Sequence, residues 1–253
     1  MTIIDRAILL AAGRGTRLGA LTADRPKPMV PLCGKPILER IMLGLRGAGV
    51  TDFLFVIGYR GDAIRTYFGD GRPWDARIAY AEQPIPNGTG AALACASDWA
   101  AAQPDSPVFA SFGDIYTDPA HYPALRDGYL GSPCAALIGI NPLPDPSAGA
   151  AVYRNGDRIT RVVEKPPPGT AAGKWNVAGV SIYGQEVWQV LPTLKPSPRG
   201  EIEITDAIST LIARSESGGR LVRAHEMRGF WSDIGTPAAL EEAERICEAG
   251  GWT

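Results

Sequence analysis

Apolar runs of strand length alternate with amphipathic segments through the first half of the chain. The runs at residues 7–11 and 52–57 are typical of buried strands. Residues 37–49 place apolar side chains at helical spacing and end in glycine, which predicts a helix between those strands. The same patterns then predict a helix at 61–68, a strand at 78–81, an alanine-rich helix at 91–102 and a strand at 107–112. This alternation predicts an α/β fold with a mostly parallel central sheet and helices on both faces.

Shorter strands separated by turns follow Cys134. Asn155-Gly156-Asp157 predicts a hairpin between two of them, because Asn-Gly pairs favour the turn that joins antiparallel strands. Thr236-Pro237 predicts the start of a final helix over 238–247. The other predicted elements are strands at 135–140, 150–153, 158–163, 175–183 and 221–224, and a helix that runs through residue 213. We expect the later strands to add an antiparallel extension to a mixed sheet, within a single domain over residues 1–253.

The loop after the first predicted strand combines glycines with two cations. Gly13, Gly15 and Thr16 precede Arg17, and Lys27 follows ten residues later between two prolines. Glycine lets backbone N–H groups approach an anion, and the arginine and lysine add positive charge beside them. The spacing matches neither the P-loop nor the dinucleotide-binding glycine pattern. The loop indicates a polyphosphate site of another kind, with an ordinary strand-to-loop turn as the alternative.

Two carboxylates are candidate metal ligands. Asp114 follows a predicted strand, and Asp233 lies between aromatic residues and a glycine turn. Magnesium takes few protein carboxylates and completes its coordination with phosphate oxygens and water, so these two suffice. A Gly-Asp pair after a strand is equally typical of a turn. Asp118, Glu203 and Asp206 are more typical of helix caps and of partners for a helix dipole.

A proline-rich loop near residue 83 is a candidate site for a nucleobase. Gln83 offers an amide donor and acceptor that suit the edge of a pyrimidine, and the Gly88 backbone offers a further contact. A simple loop that leads into a glycine helix start is the alternative.

Polar residues in the second half are candidate contacts for a sugar phosphate. Glu164 suits sugar hydroxyls, while the adjacent Lys165 suits a phosphate, with a solvated surface pair of opposite charges as the more usual alternative. Arg199 has a planar fork that suits the same phosphate. Gly149 precedes a predicted strand and offers backbone access, and Asn176 is a further candidate sugar contact.

The composition limits the function classes. A net charge of −2 leaves no basic surface for nucleic acid or for an anionic membrane. Four scattered cysteines form no C-x-x-C pair, which predicts neither a zinc site nor a disulfide framework. Two histidines exclude a histidine-rich metal site, so carboxylates, cations and a hard metal are favoured. We expect a cytoplasmic protein, because the sequence shows neither a signal-peptide pattern nor an apolar run of membrane-spanning length.

Seven motifs occur together and in order: G-x-G-T-R-L, P-K-P, Q-P-x-P-x-G, G-D, E-K-P, R-G-E-I-E-I-T-D and W-x-D-I-G-T-P. In this combination the chain resembles the sugar 1-phosphate nucleotidylyltransferases, closest in motif style to the glucose-1-phosphate thymidylyltransferases. The resemblance implies a Rossmann-like fold, Mg²⁺ as cofactor, and a nucleoside triphosphate and a sugar 1-phosphate as substrates that release pyrophosphate. It further implies a nucleotide-binding half at about 1–130 and a sugar-phosphate-binding half at about 131–253.

The resemblance also implies residue roles. Arg17 would bind the leaving pyrophosphate, Lys27 the α-phosphate, and Lys165 with Arg199 the sugar phosphate. Asp114 and Asp233 would hold the metal. Because a sugar phosphate is already an anionic nucleophile, such a site needs no general base and must mainly neutralise charge. The further implied nucleotide contacts are Leu10, Ala12, Gly13, Gly15, Thr16, Gln83, Gly88 and Thr89, and the implied sugar contacts are Gly149, Glu164 and Asn176.

Some departures keep alternatives open. Ala12 stands where many relatives have glycine, and Ile115 follows Asp114 where G-D-N is more usual. The sequence lacks the extra C-terminal segment of longer thymidylyltransferases, which leaves open a homo-oligomer and allosteric regulation. We favour dTTP or UTP with glucose 1-phosphate. The alternatives are GTP with mannose 1-phosphate, UTP with an amino-sugar phosphate, CTP with phosphocholine, and a non-catalytic sensor of nucleotide sugars. A glycosyltransferase is disfavoured, because Asp114 does not lie in a D-x-D motif.

Overall fold

The computed structural model describes residues 3–250. Within that range the strands are β1 (Arg6–Ala11), β2 (Pro31–Leu32), β3 (Lys35–Pro36), β4 (Asp52–Ile57), β5 (Arg77–Glu82), β6 (Val108–Phe112), β7 (Ile115–Thr117), β8 (Ala136–Pro142), β9 (Ala150–Asn155), β10 (Arg158–Glu164), β11 (Trp175–Tyr183), β12 (Val222–Glu226) and β13 (Trp231–Asp233). The helices are α1 (Ile37–Gly47), α2 (Gly61–Phe68), α3 (Thr89–Ala94), α4 (Ser97–Ala101), α5 (His121–Gly131), α6 (Glu186–Val190), α7 (Ile204–Glu216) and α8 (Pro237–Gly250). None of the helices in this part of the chain is both long and apolar enough to cross a bilayer.

The central sheet has nine strands in the order β5-β4-β1-β6-β11-β8-β12-β10-β9. The first four are parallel, so their carboxyl ends meet at one edge. Beyond β6 the neighbours are antiparallel, except for the parallel pair β8 and β12. This arrangement confirms the predicted α/β fold with an antiparallel extension.

Hydrophobic core lies on both faces of the sheet. Along β1, Leu9 packs into one cluster with helices α1 and α8, whereas the adjacent Ile8 packs into the other with α3 and α7. Successive side chains of a strand point to opposite faces, so a continuous apolar run is what a strand covered on both sides requires. The predicted helices on both faces are confirmed.

The alanine-rich helix predicted over 91–102 is wrong in one respect. It is divided into α3 and α4, because the N–H of Ala96 bonds to the carbonyl of Leu93 in a tighter turn between them. Past the turn, the Arg6 guanidinium stacks on the Trp99 ring at 3.7 Å and donates to the Trp99 carbonyl, which fastens α4 to the sheet. A helix-forming composition alone does not reveal such a bend.

A two-stranded ribbon was not predicted from the sequence. Strand β7 pairs antiparallel with β13, opposing Ile115 to Asp233. Just beyond the ribbon, the Ile234 N–H donates to the Asp114 carbonyl over 3.0 Å. Each strand has three residues, too few for a hydrophobic period to be recognised. The ribbon matters because it joins two segments that carry candidate metal ligands.

Candidate active site

Lys27 lies between two aspartates at the carboxyl edge of the parallel strands. Its Nζ donates to Asp114 Oδ2 over 2.6 Å and to Asp233 Oδ1 over 2.9 Å. The lysine side chain is only 7% exposed, against 29% for Asp114 and 42% for Asp233. Arg17 is 68% exposed, and its guanidinium lies 3.7 Å from Asp233 Oδ2. Four candidate residues from three distant segments thus meet at one place.

Local backbone structure brings the two aspartates together. After β6, the Gly113 N–H donates to the Leu10 carbonyl of β1, which fixes the turn that carries Asp114. A Cβ on Gly113 would lie 3.0 Å from that carbonyl oxygen, so the turn depends on glycine. The β7–β13 ribbon then sets Asp233 beside this turn.

The glycine loop holds Lys27 from the other side. Gly15 has φ 69°, and a Cβ on it would lie 2.4 Å from the Lys27 Cβ. Buried Thr22 closes the loop, because its hydroxyl lies 3.1 Å from the Gly15 carbonyl and 3.3 Å from that of Gly19. Thr22 was not recognised from the sequence, although its position in a loop rich in glycine is typical of a side chain that bonds backbone.

Burial lowers the pKa of Lys27, but attraction by Asp114 and then by Asp233, together with both hydrogen bonds, outweighs it. The net effect raises the pKa of the lysine above its ordinary value. The ammonium is therefore charged at neutral pH, and the buried charge is paired on two sides as burial requires.

The donor set fits Mg²⁺ as far as the protein supplies it. Asp114 and Asp233 offer carboxylate oxygens at one point, and magnesium is commonly bound by one or two carboxylates together with substrate phosphates. Among residues 3–250 no group of three or more His, Cys, Asp or Glu side chains is spaced to hold a metal unaided. A metal here would need ligands from a bound substrate.

A cavity of about 390 Å³ opens beside Lys27 and is lined from both halves of the chain. Arg199 lines this cavity, and its guanidinium is 2.8 Å from Glu201, 3.4 Å from Glu164 and 3.5 Å from Glu203. The candidate residues that line the cavity are Arg17, Thr89, Asp114, Gly149, Glu164, Lys165, Asn176, Arg199 and Asp233. Most predicted site residues therefore share one cleft.

Glu203 faces this cavity at the start of α7, where a carboxylate suits the helix dipole, but the expectation of a cap from its side chain is wrong. Its side chain makes no capping bond, although it stands at the N-cap of α7. The Ile204 N–H instead bonds the Thr89 hydroxyl over 3.2 Å, so a residue 115 positions away caps this helix. Burial first, and then repulsion from Glu164, raise the pKa of Glu203, while Arg199 opposes the shift. No local pattern indicates a cap from so distant a residue.

Gly149 and Asn176 fit against each other. A Cβ on Gly149 would lie 2.2 Å from Asn176 Oδ1. That oxygen accepts from the Ala150 N–H over 3.0 Å, and the amide donates to Asn141 and to the Val177 carbonyl. Asn176 is 3% exposed, so its amide holds the cavity wall through bonds within the protein.

A second cavity, of about 550 Å³, lies at the carboxyl ends of β1, β4 and β5. Gln83 lines it, and its Nε2 donates to the Gly88 carbonyl over 3.1 Å and to Asn87 Oδ1 over 3.4 Å. Arg14 and Tyr59 also line it, with the Arg14 guanidinium 4.9 Å from the Tyr59 ring centroid. These two were not singled out from the sequence, although the position of Tyr59 just after a buried strand is one where ligands collect.

The remaining predicted nucleotide contacts differ in whether they line these two cavities. Ala12 lines the second cavity, whereas five others line neither of the two. Gly88 has φ 116° and is pressed against residue 202, since a Cβ on it would lie 2.3 Å from the Ile202 carbonyl oxygen. The five residues outside both cavities are Leu10, Gly13, Gly15, Thr16 and Gly88.

Sequence comparisons identify relatives along almost the whole chain. A family model described as Nucleotidyl transferase matches residues 6–250. The low-salt glycan biosynthesis nucleotidyltransferase Agl11 of Haloferax volcanii and the glucose-1-phosphate thymidylyltransferase of Streptomyces griseus are each 30% identical, over 245 and 244 residues. The bifunctional protein GlmU of Methanococcus aeolicus is 32% identical over 240 residues. The alignments cover 94–95% of this chain but only 65%, 65% and 53% of those relatives, so the chain spans about two thirds or half of their length.

Solved structures share the fold. A Bacillus anthracis protein assigned as a glucose-1-phosphate thymidylyltransferase gives a TM-score of 0.83 at 25% identity, covering 95% of this chain and 94% of its own. A UDP-glucose pyrophosphorylase in complex with UDP-glucose gives a TM-score of 0.85 at 22% identity, covering 98% of this chain and all of its own. At the lower identity the likeness concerns the fold alone.

Proposed function

Because the chain belongs to the nucleotidyl transferase family, we propose that it transfers a nucleotidyl group from a nucleoside triphosphate to a sugar 1-phosphate and releases pyrophosphate. We further propose dTTP or UTP as the donor and glucose 1-phosphate as the acceptor. This choice of reaction class is supported by two relatives: one from Streptomyces griseus named as a thymidylyltransferase and one from Haloferax volcanii named as a nucleotidyltransferase.

One observation carries the proposal. Lys27 lies within 2.9 Å of both Asp114 and Asp233, and these two aspartates line the same cavity as Arg17, Lys165 and Arg199. Several cations along one cleft suit two phosphate groups that must approach each other. Their mutual repulsion is the main obstacle to the reaction, and fixed positive charge in a partly closed site lowers it.

Residue roles follow from this arrangement. Lys27 and Arg17 would bind the α-phosphate and the leaving pyrophosphate, and Lys165 with Arg199 would orient the sugar phosphate for in-line attack on the α-phosphorus. Asp114 and Asp233 would hold Mg²⁺, which when bound supplies charge neutralisation on the phosphates. The attacking phosphate oxygen is already ionised, so the chain needs no general base, and neither histidine lines either cavity.

The hydrogen bonding of Gln83 supports a base that carries a ring N–H. Its Nε2 is engaged by Gly88 and Asn87, whereas no bond within residues 3–250 uses its Oε1. An acceptor at this position suits the N3–H of thymine or uracil and opposes cytosine, whose N3 is itself an acceptor. This argument favours dTTP and UTP over CTP, and does not separate the first two.

The test is pyrophosphate release across a grid of the four ribonucleoside triphosphates and dTTP against glucose, mannose and N-acetylglucosamine 1-phosphates, with phosphocholine as a further acceptor and Mg²⁺ throughout. We expect the highest kcat/KM with dTTP or UTP and glucose 1-phosphate. Lys27→Ala and Asp233→Ala should each abolish most turnover. Pyrophosphate no higher than in the blank for every pair would refute the proposed transferase and favour a non-catalytic sensor.

A further inference from the structure

The Lys27 ammonium neutralises the two aspartates that are the candidate metal ligands. It is 7% exposed and bonds one oxygen of each carboxylate, at 2.6 Å and 2.9 Å. Arg17 adds a second positive charge 3.7 Å from Asp233. Two carboxylates therefore face two cations, and the cluster presents no excess negative charge to attract a free metal ion.

We propose that Lys27 is an internal counter-cation that neutralises Asp114 and Asp233 and so prevents them from binding a free divalent metal ion. When the metal arrives bound to a polyphosphate, the ammonium leaves the two carboxylates and they bind the metal. The proposal rests on the proposed function in one respect, since the arriving polyphosphate is taken to be the nucleoside triphosphate. It adds an order of events, in which the metal does not precede the nucleotide.

The geometry makes the two cations alternatives at this place. Lys27 holds Asp114 Oδ2 and Asp233 Oδ1, so a divalent ion that bound both carboxylates would either compete for these oxygens or bind the two remaining ones beside the ammonium. If the ammonium stayed, like charges would lie within a few ångströms of each other in a partly buried cleft, where repulsion is far stronger than in water. This repulsion favours release of one cation when the other binds.

The Lys27 ammonium can also move away from the two aspartates while the backbone of the residue stays in place. Gly15 packs against its Cβ, Cγ and Cδ, as shown by the 2.4–3.1 Å distances that a Cβ on this glycine would have to those atoms. These three carbons are thus held in place, whereas Cε and the ammonium can rotate. Asp114 and Asp233 line the cleft, so an ammonium released from them would lie near an incoming phosphate, which offers it new acceptors. Metal binding and phosphate binding would then favour each other.

The test measures Mn²⁺ binding, with Mn²⁺ as the only added ligand, by electron paramagnetic resonance of the free ion. We expect wild type to bind Mn²⁺ no more tightly than about millimolar, and Lys27→Met to bind at least tenfold more tightly. Lys165→Met is the matched control: it removes a lysine charge from the cavity that both aspartates line but frees neither aspartate, so it should resemble wild type. Asp114→Asn added to Lys27→Met should remove the gain. Circular dichroism and thermal unfolding check that each variant is folded.

Either of two kinds of result, one from wild type and one from the Lys27→Met variants, would overturn the proposal. One is micromolar Mn²⁺ binding by wild type without nucleotide, which needs no variant to be folded. The other is a folded Lys27→Met whose affinity equals that of wild type, or whose gain survives Asp114→Asn. None of these measurements depends on turnover, so a chain that released no pyrophosphate with any substrate pair would refute the proposed function and leave this result standing.

Discussion

Gly15→Ala tests the claim that the glycine loop positions Lys27. Gly15 has φ 69° and ψ 38°, in the left-handed region. A Cβ there would lie 2.4 Å from Lys27 Cβ and 3.0 Å from its Cγ, closer than real carbon atoms approach. The substitution therefore combines backbone strain with a clash against the side chain of Lys27, which links the two aspartates.

The magnitude follows from those two contributions. A left-handed conformation costs a non-glycine residue about 1–2 kcal/mol, and extra volume forced into a packed position costs about 1–3 kcal/mol. We expect the free energy of unfolding to fall by about 2–5 kcal/mol if Lys27 does not move. If Lys27 yields instead, the stability loss shrinks and the displaced ammonium should lower kcat by about 100-fold, as misplacement by about 1 Å can do.

Urea unfolding and pyrophosphate release separate these outcomes, with two control variants. Gly156 has φ 59° and a Cβ on it would meet nothing within 4 Å, so Gly156→Ala carries the strain without a clash. It lies in the β9–β10 hairpin and should cost about 1 kcal/mol without changing turnover. Gly13 has neither a positive φ nor a neighbour within 4 Å, so Gly13→Ala should change stability by less than about 0.5 kcal/mol. If Gly15→Ala matched Gly156→Ala in both stability and turnover, the clash with Lys27 would have no consequence and the reasoning would be refuted.

Three further predictions concern other contacts. Thr22→Val keeps the side-chain shape but removes the donor to the glycine loop, so urea unfolding should show a loss of about 1 kcal/mol and kinetics a higher KM for the nucleoside triphosphate; an unchanged KM would contradict the positioning role. Thr89→Val leaves the Ile204 N–H without its cap and should cost about 1 kcal/mol, with Thr89→Ser restoring it. Burial lowers the pKa of both His121 and His225, and repulsion from His121 adds to the shift at His225. The folded state therefore binds fewer protons, and stability is lost as pH falls below about 6.5. Replacing both with glutamine should flatten the urea midpoint between about pH 7.5 and 5.5, and an unchanged slope would refute this origin.

The elements that follow from local pattern were predictable from the sequence. Strands β4 and β11 and helix α2 have the predicted bounds, because the apolar pattern within each segment is enough to show where it begins and ends. Helix α5 was missed, since it carries a proline and two glycines that lower helix propensity and is held by buried Tyr122 and Leu125. Tertiary packing supplied what propensity did not.

The candidate site shows the same division between what the local sequence predicts and what tertiary packing adds. Glycines, lysine and aspartates were identified one by one, because each residue type has its own chemistry. The pairs they form were not predictable, since Lys27 meets Asp114 across 87 residues and Asp233 across 206. Those contacts depend on strand order and on the β7–β13 ribbon. The pairing of Arg199 with Glu164, Glu201 and Glu203 was not predicted for the same reason, because the sequence indicated a phosphate clamp and not the carboxylates that already contact it.

These pairings explain how a chain with a net charge of −2 can suit a polyanion. Arg17, Lys27 and Arg199 each lie within 4 Å of a carboxylate of the protein. A phosphate that binds these cations therefore competes with carboxylates of the protein, which disfavours any anion that cannot engage several of these cations together. A substrate that spans the cleft, with a metal to take over the aspartates, satisfies that condition, whereas an isolated phosphate gains little. Selectivity for two phosphates in one cleft would thus come from cations that are already positioned and paired with carboxylates before the ligand binds. A ligand binds only if its interaction free energy exceeds the free energy needed to separate those ion pairs.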